Sequence, residues 1–192
     1  MFSANVFQSL TELPNLLSST QCIKFKDEIL VCGGPETNEC YSYHTLKEQY
    51  KYICSYPSDI SLHGHCVLQW RHSQAKANEI HLLSFGGQGK DKMKQTFSMT
   101  YQSVWDSNSY QIVQTPNVWN RHEQDNMIGT IEDDLEGICG LIGGKNNDLL
   151  FITHYPQNIE VIDLKTMKSL NGIKDNVMPR EEYEYGIGYH CF

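Results

Sequence analysis

The sequence lacks the features that mark secreted, membrane-spanning and nucleic-acid-binding chains. It has no segment with the basic, apolar and small-residue order of a signal peptide, and no Asn-x-Ser/Thr glycosylation site. No apolar run approaches the roughly 18 residues of a membrane span. The 15 Lys and Arg residues against 23 Asp and Glu give a net charge of −8, which argues against a basic face for nucleic acid. Seven cysteines, an odd number, indicate free and mostly buried thiols, so we expect a cytoplasmic protein.

The motifs of several common sites are also missing. A phosphate-binding P-loop would need glycine at Ser84 and a hydroxyl residue at Asp91. His63, His65 and Cys66 are zinc-ligand types, but their spacing matches no closed tetrahedral pattern. No local signature pairs a cysteine with a histidine for nucleophilic catalysis. We therefore expect no cofactor, no metal and no catalytic residue in a chain that is not an enzyme.

The pattern that is present belongs to an all-β protein. Helical periodicity does not extend over any useful length, whereas short apolar and alternating segments recur between turn residues. Two of these apolar runs, 29–34 and 80–87, end in glycine pairs that lie 53 residues apart. This distance is close to the period of about 50 residues at which one four-stranded propeller blade repeats. The glycine pairs are Gly33-Gly34 and Gly86-Gly87.

The residues after the first glycine pair strengthen the pattern. An alternating segment contains Tyr43, a polar turn follows, and Tyr50 opens the next apolar run, which ends at Pro57. A strand that ends at a glycine pair, followed by a tyrosine and an aromatic residue at these places, resembles the kelch motif. Tyr43 matches the tyrosine of that motif, and Tyr50 stands where the family has tryptophan. The resemblance implies a kelch-type β-propeller, a fold that usually binds other proteins.

A cysteine near the start of each unit gives a second marker of the repeat. The marker cysteines are Cys22, Cys66, Cys139 and Cys191, and the steps between them are 44, 73 and 52 residues. The chain is therefore interpreted as one partial propeller over 1–192. Its predicted parts are an outer strand of a preceding blade (1–14), three four-stranded blades (18–57, 62–116 and 136–179), a long connection (117–135) and the inner strand of a further blade (184–192). The fourth strand of the second blade is predicted at Tyr110 to Thr115.

An incomplete ring of about three blades would leave an apolar blade face open at each end, because closure is what removes exposed edges from a propeller. We therefore expect self-association through the open blade faces as one possibility. Tyr43 and Tyr50 are expected to pack between blades, whereas Tyr41 and Tyr52 are the better candidates for a recognition surface. The lysine cluster at 90–94 is interpreted as a solvated turn.

The predicted function is a protein-interaction module or adaptor whose partner protein the sequence does not identify. Two alternatives stay open. A WD40-type propeller is suggested by Gly64-His65 and Trp105-Asp106, which occur once and do not recur. The other alternative is a fragment of a propeller enzyme of the galactose-oxidase class, whose copper ligands map onto no residues of this sequence.

Overall fold

The structure is a computed structural model that describes residues 9–70, 78–106, 117–123, 126–170, 177, 186, 188 and 189. These residues form β-strands and no α-helix, which confirms the all-β prediction. The strands make three antiparallel sheets of four strands each, and the strands of each sheet follow one another in chain order. Within the described part of the chain, no helix is long and apolar enough to cross a membrane.

The three sheets have the following strands. Sheet 1 contains Gln21–Phe25 (β1), Glu28–Cys32 (β2), Glu39–His44 (β3) and Gln49–Ser55 (β4). Sheet 2 contains Cys66–Trp70 (β5), Glu79–Phe85 (β6), Thr96–Gln102 (β7) and Asn120–Arg121 (β8). Sheet 3 contains Asp134–Gly143 (β9), Leu149–Tyr155 (β10), Asn158–Asp163 (β11) and Lys168–Ser169 (β12).

The sheets stack face to face, with the first strand of each close to the first strand of the next. One apolar cluster joins sheets 1 and 2 and includes Leu30, Cys40, Leu82, Phe97 and Trp119. A second cluster joins sheets 2 and 3 and includes Leu83, Phe85, Ile138, Leu150 and Ile152. Sheet 2 therefore buries both of its faces, as sheets in the middle of such a stack must. This arrangement is consistent with a β-propeller.

Sheets 1 and 3 each have a second face on which the described residues place no other sheet. In sheet 1 this face carries Val31, Tyr41 and Tyr43, because neighbouring side chains of a strand point to opposite faces. In sheet 3 it carries Leu141 and Phe151, which lie opposite each other in the register of β9 and β10. Both faces are apolar, as expected for surfaces that resemble the interior of the stack.

Two segments differ from the sequence-based prediction, and a third predicted segment lies outside the described residues. Residues 9–14, the described part of the predicted outer strand, form no strand, and Thr11 Oγ1 donates to the Glu48 carbonyl at 2.6 Å. The predicted strand at Tyr110 to Thr115 lies outside the described residues. The fourth strand of sheet 2 is β8, inside the segment expected to be a connection. Trp119, just before β8, stacks on Tyr56 with ring centroids 4.5 Å apart, and this contact fixes the edge of the sheet.

Candidate functional site

A cleft of about 280 Å³ opens where the segment that joins sheet 1 to sheet 2 meets a loop within sheet 2. One side is the connection from β4 to β5, and the other is the loop from β6 to β7. Connections held by a rigid scaffold are where proteins commonly place binding residues. The cleft, called the loop cleft below, is therefore the candidate site. Its lining includes Asp59, Ile60 and His63 on one side and Lys92, Met93 and Gln95 on the other.

The loop from β6 to β7 is held in place by its own polar side chains. Gln88 Nε2 donates to the Gly86 carbonyl at 2.7 Å, and Gln88 Oε1 accepts from the Gln95 backbone N–H at 3.1 Å. Lys94 Nζ donates to the carbonyls of Gly89 and Lys92 at 2.8 and 2.9 Å. These hydrogen bonds hold the loop in one conformation, and a preorganised loop has a lower entropic cost of binding than a flexible one.

The expectation that the lysine cluster is a solvated turn is wrong for Lys94. Its side chain is buried, and burial lowers the pKa of its ammonium group. The physical reason is local: two backbone carbonyls replace the water that an exposed ammonium would bind. A sequence pattern does not reveal such a bond, because the two carbonyls belong to a loop whose shape the pattern does not specify.

The rim of the cleft combines an apolar side chain with charged groups. Met93 is 56% exposed although it is apolar. On the opposite side, Arg121 Nη2 donates to Asp59 Oδ1 at 2.6 Å, and this bond lowers the pKa of the Asp59 carboxyl. The backbone N–H of His63 donates to the Gly87 carbonyl at 3.0 Å and ties the two connections together. The cleft thus offers an apolar contact flanked by hydrogen-bonding groups.

The predicted motif glycines lie where the second strands end, beside the connections that follow. Gly33, Gly86 and Gly87 have positive φ angles of 52°, 74° and 83°, a region that side chains disfavour. At Gly34 the constraint is contact instead, since a Cβ atom there would lie 2.5 Å from the Ser18 carbonyl oxygen. At Gly87 a Cβ atom would lie 3.0 Å from the backbone nitrogen of His63, on the other side of the loop cleft.

The four tyrosines lie together on the second face of sheet 1. Tyr43 and Tyr50 are a cross-strand pair with ring centroids 4.8 Å apart, and Tyr41 and Tyr52 are a pair at 5.9 Å. Of the two recognition candidates, Tyr52 is 53% exposed, whereas Tyr41 is buried. Asn15 Nδ2 donates to the Tyr41 hydroxyl at 3.0 Å, and that hydroxyl donates to Glu39 Oε2 at 2.6 Å. Tyr41 is thus tied into the sheet instead of being free for recognition.

The marker cysteines do not all occupy the same structural place. Cys66 belongs to the cluster between sheets 2 and 3, and burial raises its pKa to about 12. Cys139 lies on the face of sheet 3 that is turned away from sheet 2. Cys66 and Cys139 therefore point in the same direction along the stack, from sheet 1 toward sheet 3. Cys22 is exposed and points the other way, because its neighbour Ile23 packs on the cluster between sheets 1 and 2. Cys191 lies outside the described residues.

The backbone gives a better alignment of the repeat than the cysteines do. In strand register, Gln21 pairs with Cys32 in sheet 1, and Cys66 pairs with Phe85 in sheet 2. Gln21 is therefore the counterpart of Cys66, and the cysteine at position 22 is displaced by one residue. A one-residue displacement reverses the face of a strand, which is why Cys22 is exposed.

Comparisons with known proteins add no assignment to this geometry. No family model matches the chain, and no curated protein matches it.

Proposed function

We propose that this chain is a protein-interaction module built on a kelch-type propeller and that it binds a segment of a partner protein in the loop cleft. The observation that supports the proposal is the cleft itself, which the segment between sheets 1 and 2 and a loop of sheet 2 form together. The glycine pairs support the kelch type, since both follow the second strand of their sheets, β2 and β6. In this interpretation the sheets are the scaffold and the loops carry the recognition.

The chemistry of the cleft favours a short polypeptide segment. An exposed methionine adapts to apolar side chains of different shapes, because its thioether chain is flexible and polarisable. Lys92, His63 and Gln95 lie around it and offer groups for hydrogen bonding to a peptide backbone. The net charge of −8 disfavours nucleic acid as the occupant.

The marker cysteines fit a binding role better than nucleophilic catalysis. Burial raises the pKa of Cys66 to about 12, which keeps its thiol protonated near neutral pH. The protonated thiol is a poor nucleophile. We therefore propose that Cys66 takes no part in covalent chemistry.

The proposal is tested by selecting peptides from a random display library on the full chain. We expect an enriched sequence whose affinity falls at least about tenfold in Met93→Asp, because a charge would replace the apolar contact in the cleft. The matched control is Leu46→Asp, which makes the same change at an exposed leucine in the turn between β3 and β4. Binding that is equal in both variants, or the absence of any enriched peptide, would count against the proposal.

A further inference from the structure

Three ligand-type side chains from separate segments of the chain converge beside sheet 3. Asp133 lies just before β9, His154 is in β10, and Glu160 is in β11. One ligand atom of each lies within 4.8 Å of the others. In strand register Glu160 pairs with Ile152, so His154 is its diagonal neighbour on the same face of the sheet.

The histidine in this group is buried and has an unused ring nitrogen. The His154 side chain is 1% exposed, and its Nε2 atom has no hydrogen-bond partner among the described residues. Glu160 Oε1 is 3.7 Å away, too far for a hydrogen bond. A buried polar atom without a partner costs free energy, so its persistence calls for an explanation such as a ligand. This free nitrogen therefore lies beside the Glu160 carboxylate without a hydrogen bond to it.

The groups around the three side chains orient them in the manner of metal ligands. The other ring nitrogen, His154 Nδ1, lies 3.1 Å from the Tyr155 carbonyl oxygen. A proton on Nδ1 would donate to that carbonyl and leave Nε2 as a lone pair, the usual tautomer of a ligating histidine. Asp133 Oδ2 accepts from the backbone N–H and the hydroxyl of Thr130 at 2.6 and 2.9 Å. Ser169 Oγ donates to Glu160 Oε2 at 3.3 Å.

We propose that Asp133, His154 and Glu160 form a binding site for a divalent transition-metal ion such as Zn²⁺. The proposal does not depend on the function of the loop cleft. One imidazole nitrogen and two carboxylate oxygens suit zinc better than calcium or magnesium, which prefer oxygen ligands alone. Metal–ligand bonds near 2.1 Å separate tetrahedral ligands by about 3.4 Å, so the three atoms need to move together by about 1.4 Å at most.

The local charge and access are compatible with a cation. Among the described residues, no lysine or arginine forms an ion pair with Asp133 or Glu160. Lys94 is close enough for the Asp133 carboxylate to raise its pKa, but its ammonium group donates to the carbonyls of Gly89 and Lys92 and not to Asp133. Both carboxylates are only half-buried, so solvent reaches them.

A bound ion would tie together parts of the chain that are now joined mainly by backbone hydrogen bonds. The segment just before β9 would be fixed to the hairpin of β10 and β11. In that segment, the Ile131 carbonyl accepts a hydrogen bond of 2.9 Å from the backbone N–H of Asp91, which lies in the loop between β6 and β7. The expected consequence of metal binding is therefore a higher unfolding temperature.

The test is a titration of the chelator-treated full chain with Zn²⁺, followed by calorimetry and by thermal unfolding with and without the ion. We expect one ion per chain and an unfolding temperature that rises with the zinc concentration. Glu160→Gln and Asp133→Asn should each weaken binding at least about tenfold, since even loss of an outer-shell partner costs 10- to 100-fold. The matched control is Glu132→Gln, which removes an exposed carboxylate next to the site and should leave the affinity unchanged.

Two further measurements separate this site from zinc bound by thiols or from an ion pair. Co²⁺ in place of Zn²⁺ should give visible bands without a thiolate charge-transfer band, and Cys22→Ser should leave the affinity unchanged. A thiolate band, equal binding by all the carboxylate variants, or no binding at all would overturn the proposal. The last outcome would indicate that His154 forms only an ion pair with Glu160. Because each variant is compared with and without metal, a change in its intrinsic stability does not affect the result.

Discussion

The interface between sheets 1 and 2 and the interface between sheets 2 and 3 are built from different chemistry. The first is rich in aromatic residues and contains buried polar groups, among them Glu28, Ser42 and His65. The second is mainly aliphatic, with Leu83, Ile138, Leu150, Ile152 and Ile162. The first interface therefore adds a network of side-chain hydrogen bonds to its apolar packing, whereas the second depends mainly on apolar packing.

The polar network of the first interface has a clear centre. Glu28 Oε2 accepts from the hydroxyls of Tyr101 and Ser42 at 2.5 and 2.6 Å. Trp105 Nε1 then donates to Ser42 Oγ at 2.9 Å. A buried donor without a partner is costly, so each side chain of this hydrogen-bond network depends on the others. The aliphatic interface has no such dependence, and its members should contribute in proportion to the volume they fill.

The largest effect is expected in the aliphatic interface. Leu150→Ala should lower the free energy of unfolding by about 3 kcal/mol, because the side chain is fully buried and its removal leaves a cavity. Urea denaturation measures the change. The control is Leu141→Ala, on the face of sheet 3 away from sheet 2, where the leucine is 48% exposed. If both variants lost the same stability, Leu150 would not belong to a tightly packed interface.

A smaller loss, confined to the polar interface, should follow removal of one hydroxyl. Tyr101→Phe should cost about 2 kcal/mol, because Glu28 Oε2 loses a buried donor. Tyr43→Phe is a matched control, since the Tyr43 hydroxyl is buried and the part of the chain that the structure describes offers it no hydrogen-bond partner. Its removal should leave stability unchanged or raise it. Equal losses in the two variants would show that the hydrogen bond to Glu28 does not distinguish this interface.

The polar interface should also make the protein sensitive to acid. Burial lowers the pKa of His65 to about 3. Between that value and the unfolded pKa near 6.5, the unfolded state binds more protons, so stability falls as the pH falls through this window. From pH 7.5 to pH 5.5 the loss should be about 1.4 kcal/mol.

The measurement is the unfolding free energy as a function of pH. His65→Gln should flatten this part of the profile even if it lowers stability at neutral pH. The control is His81→Gln, at a partly exposed histidine of β6, which should keep the slope. A slope between pH 7.5 and 5.5 that is the same in the wild type and in His65→Gln would contradict the depressed pKa.

Local sequence patterns were enough to predict most of the strands but not how the sheets meet. The runs that end at Gly34 and Gly87 are strands β2 and β6, as expected from apolar segments bounded by turn residues. Strand β8 was not predicted, because its position depends on Trp119 stacking on Tyr56, a contact between residues that are distant in sequence. Alternation within a segment carries no information about such a contact.

For the same reason, the sequence alone could not predict most of the residues that form the candidate sites. Met93 and Asp59 line one cleft only because two connections meet, and nothing in their local sequence links them. Asp133, His154 and Glu160 come from three segments with no ligand-type spacing. The fold brings them together through strand register, and register follows from the pairing of whole strands.

The smallest effect concerns the two marker cysteines that point in opposite directions. Cys22→Ser should change stability by less than about 0.5 kcal/mol, because the thiol is exposed. Cys66→Ser should cost about 1 kcal/mol, since it places a hydroxyl among apolar side chains of the interface between sheets 2 and 3. In the native protein a thiol reagent should modify Cys22 faster than Cys66. Reaction at equal rates would mean that Cys66 is not enclosed between the two sheets, and the aliphatic interface would then be looser than the polar one.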